Sequence, residues 1–93
     1  MIRRIESGIA GRGLNFRNLY SFKNSAIKLR INGTVSFKDD GSVKVIAEGE
    51  EVNLIKFVKS LEKELFFSST ENFYVLWRES TRAFKDFSII GHK

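Results

Sequence analysis

Cysteine and proline are absent from this 93-residue chain, and histidine occurs once, as His92 near the C-terminus. Without cysteine there can be no disulfide framework, no thiol nucleophile and no thiolate metal site. One histidine in the last three residues gives no basis for a zinc site or for a histidine-based catalytic pair. We therefore expect neither a metal nor a cofactor, so any catalysis must use other side chains and the backbone.

Long apolar runs, low-complexity segments and linkers are missing as well. No apolar stretch reaches the length of a transmembrane helix, and the first six residues, which include two arginines and a glutamate, do not form a secretory signal. Hydrophobic residues make up 42% of the chain and nine of them are phenylalanines, which is enough for a packed core. These features predict one domain over residues 1–93, located in the cytoplasm.

Negative charge is scarce in the first part of the chain. Up to Lys38 there are eight lysines or arginines and one acidic residue, Glu6, whereas the remainder has eight basic and ten acidic residues. The net charge of +5 therefore comes from the first part. Such an excess raises the local concentration of anionic ligands, for which small phosphates and nucleic acids are both candidates.

A glycine-rich stretch, Gly-Arg-Gly-Leu-Asn-Phe-Arg over residues 11–17, lies in this basic part and runs into a helical pattern. Backbone N–H groups and guanidinium donors from such a stretch can converge on one point, where a phosphate would fit. Most short glycine-rich stretches are only turns, so this one alone does not decide the function.

Hydrophobic periodicity predicts five strands and two helices. In chain order they are a strand over 2–9, a helix over 16–29, strands over 29–38 and 43–48, a helix over 50–65, and strands over 72–79 and 84–90. Turns are predicted at 39–42, 68–70 and 79–82. The second helix has one apolar stripe, formed by Leu54, Phe57, Val58, Leu61 and Leu65.

The order β-α-β-β-α-β, with one further C-terminal strand, predicts an α+β fold of the ferredoxin-like kind. In this α/β sandwich two helices lie on one face of an antiparallel sheet. The glycine-rich stretch then lies between the first strand and the N-terminus of the first helix, where a phosphate binds favourably. Trp77 and Phe73 are interpreted as core residues.

Several segments together resemble the acylphosphatase family. Residues 13–17, Gly-Leu-Asn-Phe-Arg, match the end of that family's loop motif, Gly-Arg-Val-Gln-Gly-Val-Gly-Phe-Arg, and Ser7-Gly8 matches its beginning if the loop holds one extra residue. Residues 26–29 match its Ala-x-x-Leu element, and the spacing from Gly33 to Val43 is the family's without a gap. A final Phe-x-Ile strand at 87–89 completes the resemblance.

The resemblance implies hydrolysis of the carboxyl–phosphate bond of small acyl phosphates, without a covalent intermediate. It assigns the phosphate to Arg17, as the catalytic residue, and to the backbone amides of Gly13, Leu14, Asn15, Phe16 and Arg17. The asparagine that orients the attacking water in this family falls at Phe37, whose ring can neither donate nor accept a hydrogen bond. Arg12 has no counterpart in the motif and is interpreted as a solvated residue.

Three functions stay open on this basis. The chain is an acylphosphatase, a non-catalytic relative that binds phosphate but has lost turnover through Phe37, or an RNA-binding ferredoxin-like module. The last is the least favoured, because the predicted third strand has no aromatic residue. Asn15 or Asn32 could orient the water instead of the missing asparagine. We expect a monomer that binds an acyl phosphate or inorganic phosphate, with no nucleic-acid or membrane partner.

Overall fold

The computed structural model describes residues 1–66 and 69–90, which form five strands and two helices. The elements are β1 (Ile2–Arg12), α1 (Phe16–Lys28), β2 (Asn32–Phe37), β3 (Val43–Glu50), α2 (Glu51–Phe66), β4 (Ser69–Glu79) and β5 (Phe87–Ile90). The predicted order of elements and the ferredoxin-like α+β fold are confirmed. Within the described ranges no helix is both long and apolar enough to cross a membrane.

The hairpin between β2 and β3 forms at the predicted turn. The N–H of Lys38 donates to the carbonyl of Ser42 at 2.7 Å, and the N–H of Gly41 donates to the carbonyl of Lys38 at 2.9 Å. Gly41 has a φ of +85°, a conformation that glycine adopts without strain. The Asp40 carboxylate accepts hydrogen bonds from the backbone N–H and the hydroxyl of Ser42, which closes the turn.

β1 is longer than predicted at its C-terminal end. It continues through Gly11 and Arg12 because these residues pair with Thr70 and Ser69 of β4. The same pairing replaces the turn predicted at 68–70, since residues 69 and 70 already belong to β4 and residue 68 lies outside the described ranges. A contact between distant parts of the chain therefore sets both boundaries.

β2 begins three residues later than predicted, at Asn32. The end of α1 occupies the preceding residues: the N–H of Leu29 donates to the carbonyls of Ser25 and Ala26, and Arg30 has a φ of +57°. β5 starts at residue 87 rather than 84, where its pairing with β2 begins. β3 continues to residue 50, because that residue still pairs with the first residue of β1.

The sheet is mixed, so the expectation of a fully antiparallel sheet is wrong at one edge. Its strand order is β4-β1-β3-β2-β5, and the first four strands are antiparallel neighbours. β5 instead runs parallel to β2, with Gly33 opposite Phe87 and Ser36 opposite Ile90. β4 ends at the end of the sheet where β2 begins, and residues 80–86 connect the two edges there, so β5 enters in the same direction as β2.

The core lies between the helices and the face of the sheet that carries Ile5, Val35 and Val45. The predicted stripe of α2 is confirmed, since four of its members are buried and Val58 packs against them. The buried hydrophobic residues are Ile5, Ile9, Leu19, Phe22, Ala26, Ile31, Val35, Val43, Val45, Ala47, Leu54, Phe57, Leu61, Leu65 and Phe87. Their burial supplies the main driving force for folding.

The interpretation of Trp77 as a core residue is wrong, whereas Phe73 does pack against the core. Trp77 is 38% exposed because β4 is an edge strand of the sheet. The guanidinium carbon of Arg3 lies 5.4 Å from the centre of the Trp77 ring, a cation–π distance. The indole therefore covers the rim of the core without filling it.

A buried carboxylate holds the connection between β4 and β5 against the sheet. Glu48 on β3 is 5% exposed and accepts hydrogen bonds from the N–H of Thr81 at 2.8 Å and from its hydroxyl at 3.2 Å. The guanidinium of Arg4 lies 3.6 Å from the same carboxylate. Burial by itself raises the pKa of Glu48, but the hydrogen bonds from Thr81, Ser80 and Ala83 outweigh it, so the pKa is lowered overall.

Gly33→Ala should destabilise the protein far more than Gly41→Ala. A Cβ on Gly33, where φ is +154°, would overlap the carbonyl oxygen of Ile46 and lie 2.9 Å from the Cα of Ala47. We expect a loss of about 3 kcal/mol or more in the free energy of unfolding. Gly41 also has a positive φ but open space around it, so about 1 kcal/mol is expected there. Urea unfolding followed by Trp77 fluorescence measures both; equal losses would contradict the packing argument.

Glu48→Gln should lower stability at neutral pH by about 1–3 kcal/mol, because a charged acceptor of several hydrogen bonds is lost. The lowered pKa stabilises the folded protein above the ordinary carboxyl range, and this contribution disappears as pH falls through the folded-state pKa. The difference between wild type and variant should therefore close on acidification. Glu50→Gln is the control, since its partner is the exposed N-terminal amine and little change is expected. If the difference in unfolding free energy between Glu48→Gln and wild type did not change with pH, the lowered pKa of Glu48 would not contribute to stability.

Candidate functional site

The glycine-rich stretch forms a strand end, a short turn and a helix start. Gly11 and Arg12 belong to β1, which shortens the predicted loop. Gly13 turns the chain with a φ of +78°, and Asn15 is the N-cap of α1. Only residues 13–15 therefore lie outside regular structure between β1 and α1.

Two asparagines close the start of α1. The side-chain oxygen of Asn15 accepts a hydrogen bond from the N–H of Arg17 at 2.9 Å, and that of Asn18 accepts one from the N–H of Asn15 at 3.0 Å. This capping box satisfies N–H groups that a helix start otherwise leaves open. The amide nitrogen of Asn18 also donates to the carboxylate of Glu64 on α2 at 3.2 Å, which fixes the orientation of the cap.

The capping box uses two of the amides that the resemblance assigns to phosphate. The N–H groups of Asn15 and Arg17 both donate within the protein, whereas the N–H of Phe16 has no hydrogen-bond partner among the described residues. The amides of Gly13 and Leu14 lie in the turn ahead of it. An anion at this position would therefore compete with two asparagine side chains. Sequence reasoning missed the role of Asn18, although the spacing Asn-x-x-Asn was its signal.

Arg17 lies in the first turn of α1 with its side chain exposed to solvent. It forms no ion pair with any residue of the described ranges, and the first turn holds no acidic residue. A helix N-terminus carries partial positive charge, so the guanidinium and the helix dipole repel each other slightly unless an anion lies between them. The surroundings of Arg17 therefore favour a negatively charged ligand.

Phe37 lies beside the start of α1. Its ring centre is 5.3 Å from that of Phe16, with an angle of 80° between the ring planes, and the ring also packs against the core. This contact joins the end of β2 to the first residue of the helix. Phe37, which the resemblance aligns with the family's asparagine, is thus next to the candidate phosphate site and presents a phenyl ring there.

Asn32, one of the two asparagines proposed as a substitute, lies far from Phe37. Asn32 begins β2 and Phe37 ends it, which separates them by about 17 Å along an extended strand. The side chain of Asn32 instead points to the β4–β5 connection, where it lies 3.5 Å from the carbonyl oxygen of Phe84. Asn15 uses its side-chain oxygen in the helix cap.

Other parts of the described chain offer no alternative metal centre. No group of three or more histidine, cysteine, aspartate or glutamate residues within residues 1–66 and 69–90 could hold a metal ion, and His92 lies outside these ranges.

A cavity of about 170 Å³ lies between Tyr74, Lys38 and Lys44 on the helix-free face of the sheet. None of residues 13–17 lines it, so it is separate from the candidate phosphate site.

Comparison with known proteins identifies relatives of this chain. A family model for acylphosphatases matches residues 9–89. An acylphosphatase of Caldanaerobacter subterraneus is 33% identical over 86 residues, which cover 92% of this chain and 91% of that protein. One from Listeria monocytogenes is 47% identical over 51 residues, and this match covers 55% of the chain and about half, 53%, of the relative.

The fold is that of a solved acylphosphatase over the whole length of the chain. The crystal structure of acylphosphatase from Bacillus subtilis superposes with a TM-score of 0.85 and 28% sequence identity, and the match covers 98% of this chain and 100% of the other. Sequence and fold therefore lead to one conclusion: this chain belongs to the acylphosphatase family.

Proposed function

We propose that this chain hydrolyses the carboxyl–phosphate bond of small acyl phosphates, with the phosphate bound by Arg17 and by the amides of residues 13–17. The observation that carries the proposal is the contact between Phe16 and Phe37. It brings the end of β2 beside the start of α1, which supports a site built from these two adjacent elements.

Arg17 is suited to binding the phosphate group of the substrate. Its planar guanidinium can donate two parallel hydrogen bonds to phosphate oxygens, and the free N–H of Phe16 adds a backbone donor. The carboxyl–phosphate anhydride is reactive, so holding the phosphate and stabilising its charge supplies much of the catalysis. Water attacks phosphorus, the bond from phosphorus to the bridging oxygen breaks, and carboxylate and phosphate leave.

The group that would orient the attacking water is where this chain differs from the family's pattern. Phe37 cannot hold the attacking water, and loss of one such positioned group lowers the rate by about 10²–10⁴. We therefore expect slow hydrolysis compared with a relative that carries asparagine at this position.

A second candidate function is binding of phosphate or a related anion without turnover. The apolar side chain at Phe37 favours it, because a phenyl ring cannot hold the attacking water, whereas the exposed Arg17 remains able to bind an anion. The cap formed by Asn15 and Asn18 occupies two amides and weakens anion binding under both candidate functions. No comparable observation favours RNA binding, since the side chains of β3 on the helix-free face are Lys44, Ile46 and Glu48, without an aromatic ring.

Hydrolysis of acetyl phosphate by three variants tests the proposal. Arg17→Ala should lower kcat/KM by about 10²-fold or more, because the phosphate loses its charged ligand. Phe37→Asn should raise it by about 10²-fold or more, because it restores a hydrogen-bonding group for the water. Phe37→Leu should give no gain, which separates hydrogen bonding from a simple change of packing.

Arg78→Ala is the control for Arg17→Ala, because it removes the same charge from an exposed position on β4. If wild type is inactive and Phe37→Asn is active, the second candidate function is supported. If all variants are inactive and phosphate shifts no amide resonance of residues 13–17, both candidates are disproved.

Asn15→Gly should strengthen phosphate binding by about 3- to 10-fold, because it removes the acceptor of the Arg17 N–H and releases that group toward the anion. Replacement of an N-cap by glycine costs only a few tenths of a kcal/mol of stability, so the fold should persist. Amide chemical shifts in a phosphate titration give both the affinity and the donors involved. Asn18→Ala releases the N–H at position 15 instead, so the two variants test the two donors separately. Unchanged affinity in both variants would show that these amides do not contact the anion.

A further inference from the structure

Two exposed aromatic rings lie next to Arg17 on the surface of α1. Phe16 is 48% exposed although it contacts Phe37, and Tyr20 is 57% exposed. Residues four apart on a helix are neighbours on its surface, so these rings lie one above the other on the same side of the first turns. Phe37 packs edge-on against Phe16 from β2 and holds that ring in place.

This surface combines positive charge with flat apolar area. Arg17 directly follows Phe16 in the chain, and the first turn of the helix has no acidic residue to neutralise it. An acyl phosphate has the same two-part character, because a charged phosphate and an acyl group are separated by a single bridging oxygen. With the phosphate on Arg17 and on the N–H of Phe16, the acyl group lies within reach of the Phe16 ring.

We propose that Phe16 and Tyr20, with Phe37 behind them, form a subsite for the acyl group, and that this subsite prefers a flat aromatic acyl group to a short alkyl one. This inference rests on the proposed function, since it places the phosphate at Arg17. The asparagine position of the family has here become part of an apolar wall. Ring-to-ring contacts of this kind correspond to about 3- to 10-fold in affinity for each well-placed pair.

Binding of two acylphosphonates tests the subsite. In acetylphosphonate and benzoylphosphonate the acyl carbon is joined directly to phosphorus, so neither compound can be hydrolysed as an acyl phosphate. Wild type should bind benzoylphosphonate about tenfold more tightly than acetylphosphonate, as measured by titration of amide chemical shifts. Tyr20→Ala should reduce this ratio by about threefold or more and leave the affinity for acetylphosphonate unchanged.

Ile27→Ala is the matched control, because Ile27 is a 54% exposed apolar residue of the same helix that lies almost two turns beyond Tyr20. The ratio of the two phosphonate affinities in Ile27→Ala should equal that of wild type. A wild-type ratio near one, or a ratio that Tyr20→Ala does not reduce, would overturn the subsite.

These outcomes are distinguishable from failure of the proposed function. Hydrolysis of acetyl phosphate together with a ratio near one would overturn the subsite and leave the proposed function standing. If benzoylphosphonate binds about tenfold more tightly than acetylphosphonate but no acyl phosphate is hydrolysed, the subsite is supported and the proposed hydrolysis is disproved. If neither phosphonate binds and no acyl phosphate is hydrolysed, both are overturned.

Discussion

The contact between the rings of Phe16 and Phe37 is the interaction on which the candidate site depends. It joins the first residue of α1 to the last residue of β2, two elements that come together only when the helix packs on the sheet. Because the Phe37 ring also packs against the core, the position of the site is coupled to the packing of the domain. The resemblance aligns the family's asparagine with Phe37, so under the proposed function the same contact also affects the chemistry.

Anion binding and helix capping compete for the same backbone donors in this chain. In the structure, Asn15 and Asn18 satisfy N–H groups at the start of α1, and Glu64 on the other helix holds Asn18 in place. A helix that is already capped gains less from a bound phosphate, because the anion must displace existing hydrogen bonds. The remaining attraction comes from Arg17 and from the positive end of the helix, and both act on any ligand with a phosphate or carboxylate group.

The parts of the fold that sequence reasoning predicted correctly are those governed by local pattern. The stripe of α2, the alternation in β2 and the turn at Gly41 follow from side-chain period and backbone freedom, which neighbouring residues determine. The wrong predictions concern strand ends and side-chain exposure that depend on contacts between residues far apart in the chain. Pairing with β4 extends β1 through Arg12, and the position of β4 at an edge exposes Trp77. In the site, the role of Asn18 in the helix cap was missed.

By itself, the sequence determined the class of fold and the family. These properties depend on residue type and spacing, which can be read without coordinates. Tertiary structure decided the direction of β5, the removal of Asn32 from the site, and the occupation of the amides of Asn15 and Arg17 by side chains. Each of these depends on which groups face each other across space, and hydrogen bonds act only over about 3 Å. Residues far apart in the chain meet at that distance only after the helices have packed on the sheet.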